Sequence, residues 1–247
     1  CDAVGLDDRP SGTSASFGAL RSAAQVYRPG HAVFELDGPA EIRITPDTVF
    51  HVDWSLLHAS AVAWTDGLDR SSLAYDGLKG RVTAPSADAS LGFSVERGET
   101  HVRRSGDALD VAASLGALAL DLGDRVLPSI DAAVDMTIAD AATWISAEGP
   151  THDVPLGARV EMHRLSLDLG GGHTMSLSGP LSVDEEGYLS GTLDLDVSGI
   201  SVWRDRISDA FPEIAETMER IAQVVQGLSD GADRAVVKLN VRDGTVY

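Results

Sequence analysis

The chain contains a single cysteine, Cys1, among 247 residues. A lone cysteine excludes an internal disulfide and a zinc site built from several cysteines. The sequence also lacks any run close to about 18 consecutive apolar residues, which predicts that no segment of it crosses a membrane as a helix. Aromatic residues make up only 5% of the sequence and apolar residues 43%, so a core would depend on aliphatic side chains.

Positive charge is scarce, because 38 acidic residues oppose 19 basic ones and the formal net charge is -19. Only Lys79 and Lys238 are lysines, and the largest basic cluster is the pair Arg103 and Arg104. Such a chain repels phosphate backbones and anionic lipid headgroups at long range. We therefore predict no nucleic-acid partner.

Short alternating segments dominate the first half of the sequence. In residues 31–36 and 40–45 apolar and polar side chains alternate with a period of two, and the Asp-Gly-Pro between them is typical of a turn. The same alternation recurs around Phe93 and Met136. Residues 5–16 are rich in Gly, Ser, Asp and Pro, which predicts a loop before the first strand. The first half therefore reads as antiparallel sheet.

Residues 160–197 carry the clearest pattern, three alternating segments joined by the turns at residues 170–173 and 184–187. The pattern predicts a three-stranded meander with one apolar face and one polar face. The apolar positions are Leu165, Leu167, Leu169, Met175, Leu177, Leu181, Val183, Leu189, Leu193, Leu195 and Val197.

After Gly199 the apolar period changes to three or four residues, which predicts an amphipathic helix over residues 200–228. Pro212 cannot donate a backbone hydrogen bond, so the helix should kink or restart there. Residues 235–241 alternate again and predict one more strand. The apolar stripe of the helix is Ile200, Trp203, Ile207, Phe211, Ile214, Met218, Ile221, Val225 and Leu228.

These patterns together predict a mainly β fold of the α+β class. We expect one large curved antiparallel sheet with one long amphipathic helix packed on its apolar face. We expect a single β-rich domain over residues 1–247, with possible lobes 1–150 and 151–247 that meet near the Gly and Pro cluster of residues 149–157.

Histidine is the first candidate for chemistry. His51 and His58 flank Asp53 closely enough to suggest a metal site, but a polar strand surface is the favoured interpretation, because metal ligands need supporting partners. None of the seven histidines forms a pair at the metal-binding spacing of a helix. They are His31, His51, His58, His101, His152, His163 and His173.

Two glycine-containing motifs match functional patterns only formally. Residues 227–231 read G-x-S-x-G, which would make Ser229 a nucleophile, but a nucleophile elbow follows a strand and precedes a helix. Ser229 follows the predicted helix instead, so a helix stop is favoured. The glycines at 170–172 lack the lysine and the strand-to-helix setting of a phosphate loop, and they predict a turn.

Carboxylates cluster in two places, on the polar face of the meander and in one of its turns. Paired carboxylates can serve acid-base chemistry or bind calcium, but no EF-hand spacing is present and a solvated acidic face is favoured. We predict no catalytic residue, no cofactor and no metal site. The two groups are Asp168, Asp194 and Asp196, and Asp184, Glu185 and Glu186.

Tryptophan is the last candidate. Trp203 lies on the apolar stripe and is expected in the core. Trp54 and Trp64 lie on candidate strands, where core packing and an exposed binding platform are both open interpretations.

The sequence resembles an alphaproteobacterial family, domain of unknown function 2125, across almost its whole length. The matching stretches are LRSAAQVYRPGHAVFELDGPAEI, DWSLLHASAVAW, YDGLKG, GPLSVDEEGYLSGTLDLDVSGI, the long helix and VVKLNVRDGTVY. The resemblance implies an uncharacterised envelope protein, similar in pattern to AsmA-like proteins with curved sheets. It carries no catalytic residues. It also implies that Cys1 follows an aromatic-rich strand and a membrane anchor that are absent from this sequence.

We therefore expect a non-enzymatic bacterial envelope protein, periplasmic and held at the inner membrane by a segment not present here. Its amphipathic sheet would be structural or would contact lipid, and its partner would be lipid or another envelope protein. The alternative is a protein-interaction module or lipoprotein that acts through its acidic face, with Cys1 either a lipidated terminus or a fragment boundary. A hydrolase centred on Ser229 or the aspartates is the third hypothesis.

Overall fold

A computed structural model describes residues 1–8, 13–45, 48–84, 89–123, 125, 127–149, 156–228 and 233–246. The described chain forms one antiparallel sheet of sixteen strands with two helices, so the predicted mainly β fold with an amphipathic helical segment is confirmed. The first eight strands are β1 (Val4–Asp8), β2 (Thr13–Phe17), β3 (Leu20–Gln25), β4 (Arg28–Leu36), β5 (Ala40–Thr45), β6 (Thr48–Asp53), β7 (Leu56–Trp64) and β8 (Gly67–Ala84).

The second half of the chain contains the remaining strands and both helices. The strands are β9 (Ala89–Ser105), β10 (Ala108–Asp121), β11 (Ile130–Ala139), β12 (Arg159–Asp168), β13 (Thr174–Val183), β14 (Leu189–Ser198), β15 (Arg234–Arg242) and β16 (Thr245–Val246). The helices are α1 (Ile200–Ala210) and α2 (Ala215–Leu228), and short 3-10 turns lie at Ala142–Ile145 and Pro212–Ile214. Within the described residues, neither helix has the length and hydropathy that a membrane span requires.

The contacts divide the chain into two units. Unit 1 consists of Cys1–Ala63, Ser71–Thr100 and Leu115–Ser129. Unit 2 consists of Trp64–Arg70, His101–Ser114 and Ile130–Tyr247. The predicted meeting point of two lobes near residues 149–157 stays a prediction, because residues 150–155 lie outside the described part of the chain.

In unit 1 two connections between consecutive strands are fixed by backbone hydrogen bonds to residues distant in sequence. β2 passes to β3 at Gly18, where the Gly18 N–H donates to the carbonyl of Asp37 at 3.1 Å. A Cβ on Gly18 would lie 2.6 Å from that same carbonyl oxygen, so only glycine allows this approach. β6 passes to β7 at Ser55, whose N–H donates to the carbonyl of Asp76 at 3.0 Å.

In unit 2, β12, β13 and β14 pair in sequence, and β11 and β15 extend the ladder on either side. Apolar side chains fall opposite one another, as in the row Val134, Leu165, Leu177, Leu195 and Val237. The predicted meander is therefore confirmed with its phase. The expected loop over residues 5–16 is wrong in part, because β1 and β2 are paired antiparallel strands there.

The main core of unit 2 lies between this apolar face and the two helices. Ile200 and Trp203 of α1 and Ala222 of α2 are buried against Val197 and Ala235 of the sheet. Partly buried neighbours from the strands and helices complete the cluster. They are Leu167, Leu169, Met175, Leu195, Ile207, Val225 and Val237.

The helical segment is broken at Pro212, as expected, and the break changes which face is buried. The sequence pattern placed Ile214 and Ile221 against the sheet, but they are 40% and 50% exposed, and Ala222 is buried instead. The prediction is wrong for these two residues, because the short 3-10 turn at Pro212–Ile214 advances the chain by a different angle per residue than an α-helix. After the break Met218 and Val225 of the predicted stripe are partly buried, whereas Ile214 and Ile221 are exposed.

Candidate functional site

Unit 1 presents an apolar row that crosses five strands. The printed register places side chains from β1, β2, β5, β6 and β8 opposite one another, and paired residues of neighbouring strands point to the same face. The row is Leu6, Ala15, Ile42, Phe50 and Val82. At about 4.8 Å between strands it spans about 19 Å. It contains no side chain that can donate or accept a hydrogen bond.

A second row of the same face reinforces the apolar surface. Ala40 lies opposite Val52, and Val52 lies opposite Gly80. The ring of Phe93 covers Gly80 on that side, since a Cβ there would lie 2.2 Å from the ring Cζ. Two rows of carbon atoms therefore lie side by side on one face of unit 1.

No helix packs on this face within the described part of unit 1, because both helices and both 3-10 turns belong to unit 2. Both multi-residue buried clusters are likewise in unit 2. Leu6 is 60% exposed, whereas Ala15 and Ala40 are buried. Ile44 lies next to the row at an irregular register between Arg43 and Thr45 and is 47% exposed. We call the surface formed by these two rows and Ile44 the apolar face of unit 1.

The opposite face of unit 1 is charged. Glu41 lies opposite His51, and His51 lies opposite Arg81, while Asp53 pairs with Lys79 one position further along. A cavity of about 740 Å³ adjoins these strands. Its lining includes these charged residues and also Ala40, Val52, Gly80 and Phe93 of the second apolar row.

The histidines proposed for a metal site are separated by the fold. His51 on β6 faces Glu41 with Nδ1 and Oε2 3.7 Å apart, whereas His58 on β7 faces Glu35 with Nε2 and Oε2 3.7 Å apart. Each histidine thus has its own glutamate, on strand surfaces that are polar. Among the described residues, no group of three His, Cys, Asp or Glu side chains comes together as metal ligands.

The aspartates of the meander share the polar face of unit 2, and two of them are paired with cations. Asp194 accepts from Lys238 Nζ at 2.7 Å, and Asp196 accepts from Arg234 through two hydrogen bonds of 2.8 and 3.1 Å. The hydrogen bonds from Arg234 hold the pKa of Asp196 below its ordinary value of 3.8. Much of the local negative charge is therefore neutralised.

The remaining acidic candidates shape turns. Asp168 accepts from the Gly170 N–H at 2.7 Å, and Asp184 accepts from the N–H groups of Glu186 and Tyr188 at 3.0 and 2.8 Å. Side chains that accept backbone hydrogen bonds in this way fix tight turns. The glycines at 170–172 complete the first of these turns with positive φ angles, as the sequence predicted.

A polar cluster that sequence reasoning missed lies in unit 2. Thr137 donates to Asp110 Oδ1 at 2.9 Å, and Arg103 donates to Asp110 Oδ2 at 2.6 Å. His163 Nε2 lies 2.9 Å from the Thr137 hydroxyl oxygen. Because the hydroxyl proton is directed to Asp110, His163 must donate to Thr137 and cannot act as its base. A cavity of about 410 Å³ adjoins the cluster and is also lined by His101.

The tryptophans divide between core and surface. Trp203 is buried in the main core of unit 2, as expected. Trp54 is half-buried and donates from Nε1 to the carbonyl of Leu36 at 2.7 Å, which gives it a structural role. Trp64 is exposed. Ser229 and His152 lie outside the described residues.

The sequence profile of an uncharacterized protein family conserved in bacteria, DUF2125, matches residues 1–247. The chain belongs to the DUF2125 family. No curated protein and no solved structure matches it. In this DUF2125 protein the candidate binding surface is the apolar face of unit 1.

Proposed function

We propose that this DUF2125 protein is a non-enzymatic protein of the bacterial envelope that holds a lipid acyl chain against the apolar face of unit 1. The observation that carries the proposal is the continuous apolar row from Leu6 to Val82, which no described helix covers. Leu6 at its edge is 60% exposed, and Ile42, Phe50 and Val82 are only partly buried. A continuous apolar surface that keeps such exposure is a common site of ligand or partner binding. The family resemblance supports a periplasmic position at the inner membrane.

An acyl chain suits this surface better than a polar ligand does. The two rows offer only carbon atoms, so an occupant gains from apolar burial and needs no hydrogen-bond partner. The row spans about 19 Å, slightly more than the roughly 15 Å depth of one leaflet of a bilayer. An extended acyl chain can therefore lie along it.

A second copy of the chain is a less suitable cover. Each copy carries a formal charge of -19, so two copies repel one another before their apolar faces meet. The acidic polar face of unit 2 also offers limited support for a protein partner, because Asp194 and Asp196 already pair with Lys238 and Arg234.

The proposal can be tested with a phospholipid that carries a photoreactive diazirine in its acyl chain. After illumination, peptide mass spectrometry should find cross-links on β1, β5 and β9, the strands that hold Leu6, Ile44 and Phe93. Exposed apolar side chains of unit 2, Val224 and Val236, supply the internal control. Cross-links spread equally over these controls, or none at all, would contradict the proposal.

A variant makes the test quantitative. Leu6→Asp with Ile44→Asp places two charges on the apolar face at exposed positions, so the protein should fold while lipid binding falls at least about tenfold. The matched control is Val224→Asp with Val236→Asp, which should bind lipid as the unchanged chain does. Native mass spectrometry with added phospholipid gives the bound fraction, and analytical ultracentrifugation reports whether a second copy covers the face instead.

A further inference from the structure

The hairpin of β3 and β4 ends in two exposed apolar side chains. Val26 is 97% exposed and Tyr27 is 80% exposed, the two highest values among the exposed large apolar residues that the structure describes. Hairpin turns usually carry Asn, Asp or Gly, because these residues suit the backbone and are compatible with water. A valine and a tyrosine at such a tip have no folding reason that the structure shows.

The sequence of this hairpin up to residue 34 contains basic but no acidic residues, in contrast to the whole chain. Residues 9–34 form the longest stretch of the sequence without Asp or Glu, in a chain with 38 acidic residues. Arg28 follows Tyr27 directly and is exposed, and Arg21 lies on the same hairpin. Arg21 is engaged with Glu35 and Asp37 near the base, whereas Arg28 has no ion pair within the described residues.

The separation along the hairpin matters because salt screens charges. The nearest acidic residue on either strand of the hairpin is Glu35, seven residues from Arg28 and therefore roughly 23 Å away along β4. The screening length is about 8 Å at physiological ionic strength. Arg28 at the tip is thus largely independent of the acidic groups at the base of its own hairpin.

An exposed aliphatic residue, an exposed tyrosine and an adjacent arginine are the side chains that favour the interface of a bilayer. Tyrosine places its ring among the headgroups with its hydroxyl in water, and arginine binds anionic phosphates. From this combination we propose that the tip formed by Val26, Tyr27 and Arg28 inserts into the interfacial region of a membrane that carries anionic lipids. The net charge of -19 repels such a membrane at long range, so the contact depends on the local side chains of the tip.

This contact is independent of the proposed lipid site, because it uses the hairpin tip and an intact bilayer. The full chain is mixed with sedimenting vesicles of phosphatidylcholine, with and without phosphatidylglycerol. Val26→Ser with Tyr27→Ser should weaken binding about tenfold on both kinds of vesicle. Arg28→Gln should weaken it about fivefold, and only where phosphatidylglycerol is present.

The matched control is Val236→Ser, since Val236 is 69% exposed but lies on β15 between Arg234 and Lys238, which form ion pairs with Asp196 and Asp194. This variant should bind vesicles as the unchanged chain does. Circular dichroism confirms that the tip variants, which change exposed residues only, remain folded.

Depth measurements complete the test. In a Cys1→Ser background, nitroxide labels on Val26→Cys and Val236→Cys report contact with lipid through oxygen and nickel-chelate accessibility. Label 26 should become inaccessible to the nickel chelate on vesicles, while label 236 stays accessible. Equal accessibility, unchanged binding of the tip variant, or failure of the unchanged chain to bind anionic vesicles would overturn the proposal, and the last result would favour an acidic protein partner.

Discussion

The ring of Phe93 lies where a side chain on Gly80 would project, so that a Cβ at Gly80 would come within 2.2 Å of the ring Cζ. The same relationship recurs five residues away with the strands exchanged: Tyr75 on β8 covers Gly98 on β9, where a Cβ would come within 2.3 Å of the ring. Aromatic side chains that cover strand glycines fill the gap that the missing side chain leaves. In the described part of unit 1, where no helix covers the sheet, these two pairs supply local packing.

Gly80→Ala and Gly98→Ala should each destabilise the protein by about 1–3 kcal/mol, because the new methyl group displaces a ring that cannot shorten. Gly5→Ala is the control, since its Cβ would meet nothing closer than an oxygen at 3.9 Å. Chemical denaturation measures the free energy of unfolding. Phe93→Leu should recover part of the loss caused by Gly80→Ala, and equal stabilities for all three alanine variants would contradict the packing role of the rings.

Two adjacent residues of α2 give a sharp contrast. Ala222 is 3% exposed in the core beneath α2, whereas Ile221 is 50% exposed. Ala222→Asp should cost several kcal/mol, because it places an unpaired charge among Val197, Trp203 and Ala235. Ile221→Asp should change stability by less than about 1 kcal/mol. Thermal unfolding of both variants decides, and a larger loss from Ile221→Asp would mean that the buried face of α2 is assigned wrongly.

Local patterns predicted much of this fold because they depend on neighbouring residues alone. The strict alternation of residues 160–197 specifies which side chains share a face, and β12, β13 and β14 follow it. Pro212 predicts a break for a covalent reason, and α1 ends just before it. Turn residues in the segment 5–16 concealed two five-residue strands, because the glycine and serine content outweighed a weak alternation.

The sequence did not predict which strands pair when they are distant from one another in the chain. β2 pairs with β5 and skips two intervening strands, so no local pattern places Ala15 beside Ile42. Similarly, the contact between Thr137 and His163 lies next to irregular registers in β11 and β12. The sequence alone does not predict where such irregularities occur. The Arg103 and Asp110 pair is the exception, since both flank the turn at Gly106 and a hairpin there brings them together.

Low pH should remove the stability that ionised Asp110 contributes through its hydrogen bonds with Arg103 and Thr137. Hydrogen bonds from Arg103 and then from Thr137 hold the pKa of Asp110 below its ordinary value of 3.8. A carboxyl with a lower pKa in the folded state stabilises the fold above its ordinary pKa, and this contribution disappears as the pH falls through the folded-state value. Because the group is partly exposed, the contribution should be about 1 kcal/mol or less.

Asp110→Asn should therefore lower stability at neutral pH. The deficit should begin to shrink below pH 3.8, the ordinary pKa of the carboxyl, and disappear once the pH falls through the lower pKa of Asp110 in the folded protein. Denaturant unfolding across this range measures the difference between the two proteins. The exposed helix residue substitution Asp209→Asn serves as the control. A deficit that remains constant down to the lowest pH at which the protein folds would show that the ionised form of Asp110 has no special role.

The excess of negative charge should make the fold sensitive to salt. Nineteen more acidic than basic residues repel one another most strongly in dilute buffer, and added salt screens that repulsion. Salt also weakens ion pairs such as Arg21 with Glu35 and Arg234 with Asp196, but exposed pairs contribute only about 0–1 kcal/mol each. Screening of the net charge should dominate, so sodium chloride up to roughly 1 M, where the screening length is about 3 Å, should raise Tm.

Glu185→Gln with Glu186→Gln removes two exposed charges from one turn and should raise Tm in dilute buffer while reducing the gain from salt. Scanning calorimetry of both proteins across salt concentrations measures the effect, and a Tm that falls with salt would mean that the ion pairs outweigh the repulsion.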